Sequence, residues 1–255
     1  MNDNEKKHLE VVNRVLPMQP DFEIKQIKLY NCDNIKFMRS VADDTYDLII
    51  TSPPYNLGNN HHTGNKRFVP YNDDLPESEY QQKQIELLNE CFRILKPTGS
   101  LFYNHKNRIK NAVQITPYEW ILKTKLTIKQ EIVWFNRSQN FDKCRFYPMT
   151  ERVYWLSKTK NTLFNNDINH HDLFKWQAEG TNKKHKRSFP VDMCKSILNC
   201  FPKGRVLDPY SGSATLGISC DDLGFEFDGC EIDKEYFDNA VERLKNNVQE
   251  YFDFA

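Results

Sequence analysis

The run Asp47-Leu-Ile-Ile-Thr-Ser-Pro-Pro-Tyr55 constrains the fold more than any other stretch of the chain. Consecutive branched apolar residues without polar alternation describe a strand covered on both faces, the habit of a parallel sheet flanked by helices. Two prolines then stop it, because neither has an N–H to offer a ladder and both fix φ. The chain therefore leaves the sheet in a stiff loop at the strand's carboxyl end, where ligands bind in such sheets.

The rest of the sequence repeats the alternation of short strand and longer helix. Strand candidates are Tyr46 to Thr51, Ser100 to His105, Glu131 to Phe135, Arg152 to Ser157, Arg205 to Asp208 and Glu226 to Ile232. Helical patterns lie at Glu77 to Lys96, Pro190 to Phe201, Thr215 to Leu223 and Lys234 to Phe252. In the last of these, Tyr236, Phe237, Ala240, Val241, Leu244 and Val248 share one face. This order predicts an α/β fold with a mixed, mostly parallel sheet and helices on both faces.

A chain of 255 residues is long enough for one large domain with a small insertion. At 39% hydrophobic and 13% aromatic it carries too much apolar side chain for a disordered segment. The amino terminus is charged, and no apolar stretch approaches the roughly 20 residues that cross a bilayer, so a soluble cytoplasmic protein is expected. Seven scattered cysteines contain no C-x-x-C pair and read as reduced core residues, with no metal site expected.

Net charge is zero but unevenly spread. Residues 206 to 255 hold 12 acids and 3 bases, leaving 32 bases against 23 acids in the preceding 205. A basic face there suits phosphate, although solvated surface charge explains the same excess. Two stretches lack apolar periodicity and read as functional surface loops, residues 56 to 76 and 158 to 187. The second interleaves seven bases, among them Lys158, Lys160, Lys175, Lys183 and Lys184, with Phe164, Phe174 and Trp176, a composition that suits nucleic acid.

Val206 to Gly217 reads as a strand, a small-residue turn and a helix start. Small side chains let backbone N–H groups and a helix amino terminus approach a ligand. Glu231 follows Gly212 by 19 residues, at the end of the next apolar run, placed to accept from the hydroxyls of a ribose. Alone, this element indicates an adenosine-type cofactor, and a nicotinamide fits it as well.

The tetrapeptide Ser52-Pro53-Pro54-Tyr55 narrows the chemistry. A nucleobase amine is a poor nucleophile because its lone pair is delocalised into the ring. Ser52 Oγ and the Pro53 carbonyl can each take one N–H as that nitrogen becomes tetrahedral. Tyr55 can stack on a flipped base, a contact of roughly 1–3 kcal/mol.

These segments resemble the amino-methyltransferases of DNA, in particular the permuted beta group whose catalytic loop precedes the cofactor turn. The resemblance runs from Leu29 to Leu244. Asn31-Cys-Asp-Asn34 looks like the family's segment near the cofactor's adenosine and implies Asp33 there. Tyr71-Asn-Asp-Asp-Leu75 and Leu95-Lys-Pro-Thr-Gly-Ser-Leu101 are similar to segments flanking the helix after the catalytic loop. Met149 to Ser157 resembles the strand before the target-recognition region, which implies that role for 158 to 187. His185-Lys-Arg-Ser-Phe-Pro190 is similar to the segment at the methionine end of the cofactor, implying Ser188 and Phe189. Asp208, Pro209, Tyr210, Gly212, Ser213, Ala214 and Thr215, with Glu231 and Ile232, complete the implied cofactor set, Ala214 standing where the family usually has glycine.

The resemblance implies a Rossmann-like methyltransferase fold, S-adenosylmethionine as cofactor, base flipping and direct transfer. Duplex DNA is the implied partner, met by Lys158 to Arg187 and by the loop holding His61, His62, Lys66 and Arg67; a homodimer and a cognate nuclease remain open. In this family serine before Pro-Pro is associated with cytosine N4, and Asp or Asn with adenine N6, so cytosine is favoured. A nicotinamide-dependent dehydrogenase and a catalytically idle nucleic-acid binder are the alternatives. The dehydrogenase leaves the S-P-P-Y loop and the basic 158 to 187 segment without work.

Overall fold

The computed structural model describes residues 17–58, 72–136, 145–165, 167, 170–176 and 189–253, with side chains as far as 247. In chain order the described elements are β1 (Phe22–Ile24), β2 (Ile27–Tyr30), α1 (Asn34–Ser40), β3 (Tyr46–Thr51), α2 (Glu77–Ile94), β4 (Leu95–His105), β5 (Arg108–Lys110), β6 (Val113–Ile115) and α3 (Tyr118–Ile121). They continue with β7 (Thr127–Phe135), β8 (Thr150–Ser157), β9 (Leu173–Phe174), α4 (Val191–Leu198), β10 (Arg205–Asp208), α5 (Thr215–Leu223), β11 (Glu226–Cys230) and α6 (Lys234–Asp253).

Nine strands make one sheet in the order β1-β2-β11-β10-β3-β4-β8-β7-β9. The five central strands β2, β11, β10, β3 and β4 are parallel. β8 runs antiparallel to both β4 and β7, and β1 antiparallel to β2. The expected mixed, mostly parallel sheet is thus present, and its two faces bury separate cores. Leu48, Ile50, Phe102 and Val206 pack against Met193 of α4, Leu216 of α5 and Leu244 of α6. Ile49, Leu101, Tyr103 and Leu207 pack against Phe37 of α1, Leu88 of α2 and Trp120 of α3. Successive residues of β3 serve opposite cores, which is why the whole run is apolar.

β3, β10 and α5 coincide with the runs read from the sequence. β4 begins earlier than expected, at Leu95, where α2 ends, and its pairing with β3 is irregular between Tyr46 and Leu48. The β1–β2 hairpin and α1 were not anticipated. β9 is a two-residue edge strand inside the segment read as loop, paired with Val133 and Trp134.

Asp47 is the one acid in the β3 run, and it ties three segments together. Its carboxylate accepts from Lys96 Nζ at 2.8 Å and from the Arg205 backbone N–H at 2.9 Å, joining β3 to the starts of β4 and β10. Gly204 makes room for it, since a Cβ there would lie 2.5 Å from Asp47 Oδ2. Gly204→Ala is therefore expected to cost roughly 1–3 kcal/mol in denaturant unfolding. Combined with Asp47→Ala the loss should be less than additive; a neutral Gly204→Ala would show that the carboxylate moves aside freely.

Candidate active site

The sheet changes winding direction between β3 and β10. From β3 the chain proceeds to β4 on one side, and from β10 to β11 on the other. Ligands bind at the carboxyl ends of strands at such a switch point. The S-P-P-Y loop follows β3 and the small-residue turn follows β10, so the topology sets them side by side. Thr51 Oγ1 donates to Asp208 Oδ1 at 2.9 Å across the junction, both groups being buried.

The turn after β10 is held open by its own backbone. Gly212 and Ala214 both take left-handed conformations, at φ 51 and 56. Glycine does so freely, whereas alanine at 214 costs roughly 1–2 kcal/mol. Glu231, one residue past β11, accepts from Gly212 N at 3.0 Å and Asp233 N at 2.8 Å. Asn31 Nδ2 donates to the Glu231 carbonyl at 2.8 Å, so the ends of β2, β10 and β11 form one cradle. A Cβ on Gly229 would lie 2.9 Å from Ser211 Cβ, and Ser211 Oγ is buried with no partner among the described residues. Ile232, exposed at the rim, adds an apolar surface.

These features fit an adenosyl group: a carboxylate with unused lone pairs for ribose hydroxyls, an apolar rim for a ring, and an orphaned hydroxyl. Asp33 caps α1 by accepting from Lys36 N at 2.9 Å. Pro209 and Tyr210 continue the turn, with Tyr210 N donating to Asp208 Oδ1 at 3.0 Å. The hydroxyls of Ser213 and Thr215 are buried and receive Arg243 Nη1 at 2.7 and 3.1 Å, so these two residues offer a ligand only backbone. Phe189 packs against Trp134, with ring centroids 6.2 Å apart.

The S-P-P-Y loop meets a cluster of oxygens. Ser52 Oγ and Tyr55 Oη are 2.7 Å apart. Asn104 Oδ1, at the end of β4, lies 3.2 Å from Ser52 Oγ and 2.7 Å from Tyr55 Oη, and its amide orientation is set by Nδ2 donating to Arg152 O at 2.9 Å. Glu151 Oε2, from β8, accepts from Tyr55 Oη at 3.0 Å. Four oxygen–oxygen contacts thus share two hydroxyl hydrogens, and at any moment two of them lack one. The cluster is short of donors, and a primary amine brings two.

Tyr80 of α2 braces the loop from below: its hydroxyl is 2.8 Å from the Pro54 carbonyl and 2.6 Å from His105 Nε2. His105 is fully buried, which holds its pKa down at about 3, and its Nδ1–H donates to Lys106 O at 2.8 Å. No hydrogen bond among the described residues ends on the Pro53 carbonyl. The Tyr55 ring packs on His105 with centroids 4.7 Å apart.

Asn104, Glu151, Tyr80 and His105 were not singled out from the sequence. Asn104-His105 nevertheless carried a signal, a polar pair closing an apolar strand run. Of the residues expected to face DNA, Lys175 is exposed and Trp176 half-buried just beyond β9, whose carboxyl end points the same way as that of β7. Lys158 and Lys160 do not join them. β8 runs away from the site, Arg152 pairing with His105 and Ser157 with Ser100, which puts Lys158 about 20 Å down the sheet at roughly 3.3 Å per residue. There Lys158 Nζ binds Asp44 and the carbonyls of Arg93 and Leu95. That lysine fastens the far end of the sheet, a correction to its assignment to the DNA face, and Lys160 lies with it. His61, His62, Lys66, Arg67, Lys183, Lys184 and Ser188 lie outside the described residues.

Residues 46–242 match the model of the N6/N4 methyltransferase family, described as DNA methylase. The type II methyltransferase M.BglII of Bacillus subtilis is 25% identical over 266 residues, covering 89% of this chain and 71% of that protein. The DNA adenine methyltransferase YhdJ of Escherichia coli (strain K12) is 26% identical over 249 residues, covering 83% and 80%. Among solved structures, the PvuII DNA methyltransferase (cytosine-N4-specific) superposes with a TM-score of 0.73 over 92% of this chain and 95% of that one; at 18% identity this likeness concerns the fold.

Asp208 and Glu231 carry the electrostatic signature of the cradle. Burial raises Asp208 from its ordinary 3.8 to about 7, and Glu231 from 4.5 to about 7. Both groups bind protons more tightly folded than unfolded, so the stability they contribute is complete below about pH 4 and is lost as pH rises through about 7. The Asp208→Asn/Glu231→Gln variant lacks both titrations. Its stability relative to wild type, from urea unfolding, should improve steadily from pH 4.5 to 7; a difference flat in pH would refute the raised values.

Proposed function

The chain belongs to the N6/N4 DNA methylase family, whose members transfer a methyl group from S-adenosylmethionine to DNA, and on that premise we propose that its acceptor is the exocyclic N4 of cytosine in duplex DNA, presented by base flipping. The observation that carries the reading is the donor-poor oxygen cluster around Ser52, set beside the cofactor cradle by the Thr51–Asp208 bond. An extruded cytosine offers an NH₂ group to Ser52 Oγ and the Pro53 carbonyl. Drawing on both hydrogens localises the nitrogen lone pair, which then attacks the methyl carbon as the carbon–sulfur bond breaks. The Tyr55 ring face turned from His105 supplies the stacking surface.

Serine, a neutral acceptor, stands before Pro53, and that residue choice favours cytosine. The similarity to YhdJ, a DNA adenine methyltransferase, is the finding that favours adenine N6. In the cradle, Glu231 would receive the ribose hydroxyls, Ile232 the adenine, and Ser211 and the turn backbone the remaining polar groups. When bound, the cofactor supplies an activated methyl on a sulfonium; the protein orients it and keeps water away. Lys175 and Trp176 are proposed to face the duplex together with the loop from 56 to 66, in a small target-recognition region within a single domain.

Nucleosides from DNA treated with the purified protein should contain N4-methylcytosine by mass spectrometry, and N6-methyladenine in its place would transfer the proposal to adenine. Ser52→Ala should lower the single-turnover rate roughly 100-fold with little change in cofactor affinity. Because Glu231 must be ionised to accept from ribose, S-adenosylmethionine affinity measured by calorimetry should rise as pH increases through about 7. Glu231→Gln should flatten that dependence; a wild-type affinity indifferent to pH would remove Glu231 from the ribose site.

A further inference from the structure

Methylation of an amine leaves an excess proton on nitrogen, and this site has to dispose of it. We propose that Ser52, Tyr55 and Glu151 form a proton wire from the acceptor amine, with the Glu151 carboxylate as its terminal acceptor. The proposal rests on the reading that the amine meets Ser52, and it holds for cytosine or adenine alike.

The geometry is a continuous chain of oxygens. Ser52 Oγ lies 2.7 Å from Tyr55 Oη, and Tyr55 Oη lies 3.0 Å from Glu151 Oε2. Asn104 touches both hydroxyls, but its amide oxygen holds no proton at neutral pH, so it orients the wire without ending it. Glu151 is the one carboxylate that the described contacts bring to either hydroxyl. It is buried and held by the residues that follow β7 and β4: Asn136 Nδ2 donates to its Oε1 at 3.0 Å, and Lys106 Nζ lies 3.7 Å from the same oxygen. Oε2 is therefore the oxygen turned to Tyr55.

Other charged or titratable groups around Glu151 are engaged elsewhere. Arg152 binds Glu131 at 2.9 Å and Thr150 at 2.8 Å, and His105 is paired with Tyr80 and the Lys106 carbonyl. The Tyr55 phenol is pushed well above its ordinary value by burial and then by Glu151, so it passes a proton on without resting as phenolate.

The step balances. The nitrogen lone pair forms the bond to the methyl carbon, the carbon–sulfur pair returns to sulfur, and the nitrogen becomes cationic. One N–H proton moves to Ser52 Oγ as the serine hydrogen moves to Tyr55 Oη and the tyrosine hydrogen moves to Glu151 Oε2. The products are the neutral methylated amine, the thioether of the spent cofactor and a protonated Glu151, which loses its proton to solvent before the next turnover.

The test is single-turnover methyl transfer by the full chain with duplex DNA and S-adenosylmethionine, for wild type, Ser52→Ala, Tyr55→Phe, Glu151→Gln and the Tyr55→Phe/Glu151→Gln pair. Glu151→Gln keeps the shape of the side chain and removes the proton sink, together with one of two acceptor oxygens and the charge near Lys106, and Tyr55→Phe leaves Glu151 intact as the control for those losses. Tyr55→Phe and Glu151→Gln should each lose roughly 30- to 100-fold in rate at unchanged cofactor affinity, and the pair should lose no more than either alone. Additive losses or a wild-type rate in Glu151→Gln would overturn the wire. If Glu151→Gln failed to bind the cofactor, Tyr55→Phe would decide alone, its wild-type rate being fatal to the proposal. Should Ser52→Ala also react at the wild-type rate, the Ser52 reading itself fails, which separates the two.

Discussion

A single hydrogen bond, from Thr51 to Asp208, marks the junction on which the rest of this molecule depends. It joins the last residue of β3 to the last residue of β10, where the sheet reverses its winding. A buried hydrogen bond of this kind contributes only about 1 kcal/mol net. Its value lies in registration. The turn proposed to receive the cofactor and the loop proposed to receive the base hang from neighbouring strands, and on that proposal the relative height of those strands sets the distance between donor and acceptor of the methyl group. Asp208 is buried at this junction, and burial raises its pKa to about 7.

The same economy of donors runs through the whole site. Most buried polar groups in a folded protein are fully paired, because an unpaired one costs free energy in a low-dielectric interior. Here four contacts around Ser52, Tyr55, Asn104 and Glu151 share two hydrogens. One hydroxyl hydrogen of Tyr80 likewise serves both Pro54 and His105. A deficit of donors held in a stiff frame is complementary to a ligand that brings N–H groups. The rigidity comes from the two prolines, from the amide of Asn104 fixed on Arg152, and from the packing of Tyr55 on His105. Preorganisation of this sort is what makes oxygen acceptors effective toward a weak nucleophile.

Much of this could be read in the sequence, and what escaped has a common cause. The central strands β3 and β10 were legible because they are buried on both faces and written almost wholly in apolar residues. α5 was legible because Gly224 ends it and the turn residues precede it. The β1–β2 hairpin escaped because a three-residue edge strand, Phe-Glu-Ile, has too few residues to show a period. β9 escaped for the same reason, and is defined by its neighbour: it exists because Trp134 and Val133 offer an edge. Of the site, the tetrapeptide and the cradle acid Glu231 stood out since each is contiguous with a recognisable turn. Asn104 and Glu151 are brought to Tyr55 by strand pairing across 49 and 96 residues of chain, and no local pattern reports that. Lys158 was misassigned for the converse reason. Composition grouped it with the basic segment that follows, whereas the direction of β8 delivers it to the opposite end of the sheet.

Tyr55 shows how the two kinds of information combine. Read from sequence, position 55 needs a flat ring, and phenylalanine or tryptophan would serve a stacking role as well as tyrosine. In the structure the ring has one face on His105, while its hydroxyl sits at the centre of the oxygen cluster, touching Ser52, Asn104 and Glu151. Stacking does not require that hydroxyl, and burying it unpaired would carry a penalty. The pairing to a carboxylate on an antiparallel strand is therefore a requirement separate from base contact, met only by tyrosine. Since Asn104 cannot accept a proton and Glu151 can, the chemical direction of the cluster runs outward from Ser52 through the phenol to β8. The strand that delivers Glu151 is the one that reverses direction beside β4, so the mixed character of the sheet, and not only its parallel centre, enters the chemistry proposed for the site.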